Sequence, residues 1–120
     1  MTSGASGVGG ASVARTIEPD REQLYVELWV SLASLLRSYT AAHGLNGNRQ
    51  ATVELGEERI TVRHSVAWLE LERDGSQVHW RREDGSAGMM ELTEAGRLRS
   101  GDREEEMDMV AEAWARELMG

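Results

Sequence analysis

The sequence predicts an α+β fold: a helix, a four-stranded antiparallel meander and a second helix, with the sheet backed by at least one helix. Two observations carry this. Asp74-Gly75 and Asp84-Gly85 stand between short alternating segments, and Asp-Gly in that setting is a strong hairpin signal because the favoured two-residue turn needs positive φ at both central positions. Apolar residues at helical spacing flank the meander on both sides.

Residues 1–15, mostly Gly, Ser and Ala, predict a disordered tail, and residues 16–120 a single α+β domain. Pro19 suits the first position of a helix, where its missing N–H costs nothing. Glu18, Asp20 and Glu22 place carboxylates at the positive end of that helix's dipole. Leu24, Leu28, Leu32, Leu35, Leu36 and Tyr39 form one apolar stripe, with Tyr25, Trp29 and Val30 in a second stripe beside it. So wide an arc is expected to be buried on more than one side. Gly44 is placed to end the helix with Leu45 folding back, as in a Schellman cap, and Asn46, Gly47 and Asn48 form a loop.

Alternation from Gln50 to Leu55 and from Arg59 to His64 predicts strands joined at Gly56–Arg59. Ala67, Leu69 and Leu71 continue the inward face, but its parity changes after His64. One long strand over 59–73, bent by a bulge near His64-Ser65, accounts for that change; two separate strands are the alternative. Ser76–Arg82 and Ala87–Thr93 complete the meander. Leu92–Gly101 is expected to be a polar connection, with Asp102 and Glu105 capping the last helix. Met107, Val110, Ala111, Trp114 and Leu118 share one face of that helix.

Composition removes several chemistries. The 120 residues contain no Cys, which excludes disulfides, thiolate metal sites and a Cys nucleophile. There is no Lys, so the 13 basic residues are all Arg, and neither a Schiff base nor a P-loop can be built. This bias toward Arg, Ala, Gly and Glu suggests a bacterial, GC-rich origin. The net charge of −8 argues against nucleic acid and anionic membrane as partners and suits a basic protein partner. No apolar run reaches the roughly 20 residues of a membrane span, and residues 1–14 lack the basic start and apolar core of a signal peptide. The expected location is the cytoplasm.

A two-residue turn at Asp74-Gly75 and a three-residue turn at Asp84–Ser86 set Leu71 opposite Val78, and Trp80 opposite both Leu69 and Met90. The opposite face then falls into rows. Trp68, Arg81 and Met89 form a candidate partner-binding row, joined by Tyr25 and Trp29 from the first helix. Glu70, His79 and Glu91 form a second row, readable as a pH-sensitive charge ladder or as an acid–base or metal-binding set. It lacks the second His or Cys of a transition-metal site, so no metal and no cofactor are expected.

Three function classes remain. The first is an acidic interaction module (adaptor, secretion-chaperone-like, immunity or inhibitor type), acting as a homodimer because of the first helix's wide apolar arc. The second is a small-molecule-binding domain using Trp29, Trp80 and Trp114. The third is an enzyme built on the Glu70, His79 and Glu91 row.

Overall fold

The computed structural model describes residues 19–44 and 50–120. The tail expected at residues 1–15, Glu18 and the turn through Leu45, Asn46, Gly47 and Asn48 lie outside the described residues. Helix α1 (Pro19–His43) is followed by seven strands: β1 (Thr52–Leu55), β2 (Arg59–His64), β3 (Ala67–Asp74), β4 (Gln77–Arg82), β5 (Ala87–Leu92), β6 (Arg97–Ser100) and β7 (Arg103–Glu106). Helix α2 (Met107–Met119) completes the order. The strands form one antiparallel sheet in chain order, β1 to β7. The α+β class is as expected; the strand count is seven, not four.

Three expectations are corrected. Residues 59–73 form two strands joined at Ser65-Val66, with His64 paired to Ala67. A two-residue loop makes residues of odd summed number face each other, which is the parity change the sequence displays. Leu92–Gly101 is no plain connection, since it carries β6. Asp102 sits in the β6–β7 turn instead of capping a helix; α2 begins after Glu106, whose side chain makes no cap bond.

Five of the six hairpins turn on one residue with positive φ: Ser65 (61°), Gly75 (62°), Gly85 (90°), Gly96 (80°) and Gly101 (65°). At Gly75-Ser76 and Gly101-Asp102 the glycine takes the first central position and only it is left-handed, the signature of a type II′ turn. Asp84-Gly85 and Ala95-Gly96 end three-residue loops closed in the same way. Arg82 N–H bonds Ser86 O at 2.9 Å and Gly85 N–H bonds Arg82 O at 3.1 Å; Thr93 N–H bonds Arg97 O at 2.8 Å and Gly96 N–H bonds Thr93 O at 3.0 Å. Asp84 stiffens its loop by accepting bonds from the Ser86 N–H and hydroxyl, which hold its carboxyl below the usual carboxylate range.

Each turn therefore sits one residue away from its expected centre. Leu71 faces Trp80, Val78 faces Met90, and Trp80 faces Gly88. Every partner moves by two, so the faces keep the predicted parity while the rows change.

Both helices lie on the inner face. Tyr25, Trp29, Leu32, Ala33 and Leu36 from α1 meet Ile60, Val62, Leu69, Leu71, Val78, Leu92 and Leu98 from the sheet and Met107, Val110, Ala111, Trp114 and Leu118 from α2. α1 packs extensively on α2, and Ala33, Ala111 and Ala115 of the two helices are fully buried. At its start α1 is tied down by Arg73, a buried cation on the inner face. Arg73 donates to Gly75 O and to Glu22 Oε2, at 2.9 and 3.1 Å. At its end, His43 Nε2 donates to Glu112 of α2 at 3.1 Å. His64 Nδ1 donates to Leu118 O at 3.2 Å, tying β2 to the end of α2.

Two substitutions separate backbone strain from packing. Gly101→Ala meets nothing within 4 Å, so its cost should come from positive φ alone, about 1–2 kcal/mol. Gly88→Ala places a Cβ 2.7 Å from the Trp80 indole; displacing that ring should cost about 1–3 kcal/mol and shift Trp fluorescence. Urea unfolding followed by fluorescence checks both, and Gly101→Ala should leave the native spectrum unchanged.

Candidate functional site

Among the described residues no helix lies on the outer face of the sheet, and its charges follow a strict order. Each strand presents a single sign there: β1 Glu54; β2 Arg59 and Arg63; β3 Glu70 and Glu72; β4 Arg81 and His79; β5 Glu91; β6 Arg97 and Arg99; β7 Glu104 and Glu106. The sign alternates across all seven strands, taking His79 with the basic set. Opposite charges on neighbouring strands favour this order of pairing, and an order that skips one strand sets like charges side by side.

The ion pairs follow from it. Arg59 Nη2 bonds Glu72 at 2.5 Å and Arg59 Nε approaches Glu70 at 3.9 Å. Glu70 accepts from Arg81, and Glu91 accepts from Arg99. Arg97 bonds Glu106 at 2.7 Å and approaches Glu104 at 3.7 Å. The hydrogen bond from Arg81, joined by the charges of Arg81, Arg59 and Arg63, holds the Glu70 carboxyl below its usual range. Arg99 does the same for Glu91, helped by the Ser76 hydroxyl at 3.4 Å.

This register dissolves both predicted rows. Trp68, Arg81 and Met89 share the face but not a row: Trp68 lies opposite Arg63, Arg81 opposite Glu70 and Ala87, and Met89 opposite His79. Glu70, His79 and Glu91 are likewise separated. His79 stands between Glu72 and Met89, while Glu70 and Glu91 are taken by arginines. Arginine keeps its charge at every working pH and offers a fork of donors, which suits it to hold a carboxylate. Tyr25 and Trp29 are 7% and 1% exposed and are covered by their own chain, so they offer no partner surface. Of the wide arc of α1, Tyr25, Trp29, Leu32 and Leu36 are buried within the chain, while Val30 stays 46% exposed. Trp29 lines the hollow beside Leu55, whereas Trp80 and Trp114 share another of about 220 Å³ beside α2, so the three Trp residues do not line one ligand pocket. Among the described residues no group of three or more His, Cys, Asp or Glu is placed to hold a metal ion.

A different feature is open. β1 is an edge strand with Thr52, Glu54 and Leu55 exposed. Gly56 N–H bonds Arg59 O at 2.7 Å, which sets the alternation of the antiparallel ladder and turns the N–H and C=O of Val53 and Leu55 away from β2. In agreement, the outward Val53 carbonyl accepts from Arg37 Nη2 of α1 at 3.5 Å. Two hollows follow the seam between α1 and this edge. One, about 430 Å³, lies among Val26, Trp29, Val30, Leu55 and the Gly56–Glu58 turn. The other, about 440 Å³, lies among Arg37, Thr40, Ala41, Gly44, Gln50, Ala51 and Val53. Val26, Val30, Arg37, Ala41 and Gly44 belong to one helical stripe, so a single face of α1 overlooks the whole edge. Sequence reading missed this site because an edge is a property of strand order. Its one available signal was that β1 has no neighbour before it in the meander.

No family model, curated protein or solved structure matches this chain. No helix among the described residues is long and apolar enough to cross a membrane.

A carboxylate whose folded pKa is lowered contributes stability above its unfolded pKa and loses it as pH falls through the folded pKa. Glu70 is 16% exposed at its side chain and Arg81 62%, so the pair is on the scale of a surface bridge. Glu70→Gln should cost about 1 kcal/mol at neutral pH, and the difference from wild type should vanish in acid below the folded pKa of Glu70. Urea unfolding of the two proteins across that range is the check.

Proposed function

We propose that this chain is a small acidic protein-interaction module of the cytoplasm, of adaptor, chaperone-like, immunity or inhibitor type, which takes an extended segment of a partner protein along the β1 edge. The observation that carries the reading is the β1 edge, which no other described strand pairs, with the Val53 and Leu55 N–H groups turned outward beside hollows that can receive alternate side chains. An extended peptide added to such an edge gains main-chain hydrogen bonds, and pockets at every second residue select its sequence.

The rest of the surface favours this site over its rivals. On the outer face, a partner would have to cover carboxylates and guanidiniums that already satisfy one another, and desolvating such pairs is costly. At the far edge, β7 is four consecutive charged residues, Arg103–Glu106, a composition that blunts strand addition. β1 alternates Thr, Val, Glu and Leu and carries no such block. The Trp80–Trp114 hollow is below the roughly 300 Å³ usual for a small-molecule site.

Selection of displayed octapeptides against the full chain tests the reading. Selected peptides should slow hydrogen exchange at the Val53 and Leu55 amides while leaving α2 unchanged. Failure to select any peptide, or protection confined to the Trp80–Trp114 hollow, would overturn it.

A further inference from the structure

The chemistry of the added segment follows from the charge order of the sheet, given the strand-addition reading above. The outer face alternates in sign from strand to strand, and β1 closes that series with Glu54. A strand added beyond β1 continues the order only if it is positive on that face. On its other face it would lie under the flank of α1, against Val26, Val30 and Leu55, where Val30 is 46% and Leu55 36% exposed. Apolar side chains there would cover apolar surface that the monomer leaves in water.

A second observation agrees. Among the described residues Glu54, Glu57 and Glu58 enter no ion pair, whereas Glu70, Glu72, Glu91, Glu104 and Glu106 on the same sheet are all engaged. Of the carboxylates of the sheet and its turns that enter no ion pair, Glu54, Glu57 and Glu58 lie together at the β1 edge and the turn that follows it, while Asp74, Asp84 and Asp102 are dispersed over later turns. We propose that the segment received by β1 alternates basic and aliphatic residues, with Arg or Lys beside Glu54 on the outer face and aliphatic side chains entering the hollows beneath α1. The partner is a basic protein that offers an extended strand of this pattern.

Four capped octapeptides distinguish pattern from composition: alternating Arg and Val, alternating Glu and Val, alternating Gln and Val, and a block peptide of four Arg followed by four Val. Binding to the full chain is read by anisotropy, with amide protection at Val53 and Leu55 as the site readout. The Arg–Val peptide should bind at least about fivefold more tightly than the Gln–Val and block peptides, and Glu–Val should bind weakest. Glu54→Arg should reverse the order of Arg–Val and Glu–Val. Val53→Pro should abolish binding, since the lost N–H points away from β2 and the ladder keeps its bonds; thermal unfolding confirms that this variant is folded. If it does not fold, the protection of Val53 and Leu55 in the unaltered chain decides the site.

Equal binding of all three alternating peptides at the protected edge would overturn the basic pattern and leave strand addition standing. Binding that survives Val53→Pro without protecting β1 would overturn strand addition itself. Slow exchange of Val53 and Leu55 in the free chain would mean that the edge is already taken. If sedimentation then shows a dimer that Val53→Pro dissociates, the occupant is a second copy; if it shows a monomer, the occupant is residues 1–18. Either result would overturn the basic partner.

Discussion

The sheet depends on five backbone positions that an L-residue with a side chain avoids. Ser65, Gly75, Gly85, Gly96 and Gly101 hold positive φ, one in each hairpin after the first. Three of them open two-residue loops and two close three-residue loops. Both arrangements match the right-handed twist of the flanking strands, and each fixes which residue faces which. Moving any one of these positions by a residue would carry the strands beyond it out of register, so the inner face, the outer rows and the edges all rest on the five. Four are glycine, where the conformation is inexpensive. The fifth, Ser65, adopts it with a Cβ and is the one place in the meander where a side chain bears that strain.

Much of this was legible in the sequence, and what was not has a definite cause. Alternation predicted four strands, covering the residues of the first five with 59–73 taken as one, and assigned Leu69, Leu71, Val78 and Leu92 to the inner face correctly. The rows failed because Asp-Gly was read as a turn in which both residues are left-handed. Asp74 declines that conformation and Gly75 alone adopts it, so the turn slides onto Ser76 and every partner moves by two. At Gly85 the loop moves the other way, from Asp84–Ser86 to Glu83–Gly85, and with both moves His79 faces Glu72 and Met89 instead of Glu70 and Glu91. The β6–β7 hairpin went unread although Gly96 and Gly101-Asp102 carried its signals. Asp102 is compatible with a turn as well as with the expected cap, and the structure uses it in the turn. On α1, burial centres on Tyr25, Trp29, Leu32 and Leu36, between the two stripes that were distinguished. No sequence signal said that a second helix would cover that line.

With the register placed, the outer face becomes a device for ordering strands. Seven short hairpin-linked strands have many alternative pairings, and inward aliphatic residues separate them poorly because one β-branched or leucine face resembles another. Sign alternation does separate them, since skipping one strand sets like charges against each other. Arginine strengthens the effect: its fork reaches two carboxylates at once, as Arg59 does with Glu70 and Glu72 and Arg97 with Glu104 and Glu106. Each such bridge is individually small in water. Their value lies in the difference between the native order and its competitors, which is a matter of specificity more than of total stability.

The same rule explains why the two edges differ. At β7 the order ends on carboxylates already held by Arg97, and the strand runs directly into α2. At β1 it ends on Glu54, which nothing among the described residues neutralises, below a helix face that overhangs the edge with Val26, Val30 and Ala41. A protein that only needed to avoid edge-to-edge association would charge both edges as heavily as β7. Leaving β1 short, alternating and flanked by hollows admits a strand, while Glu54, Glu57 and Glu58 restrict which strand is admitted. Two such edges approaching each other would oppose Glu54 with the carboxylates of a second copy, so the charge that invites a basic segment also disfavours self-pairing. Attraction toward one class of strand and repulsion of the chain's own edge then come from the same side chains.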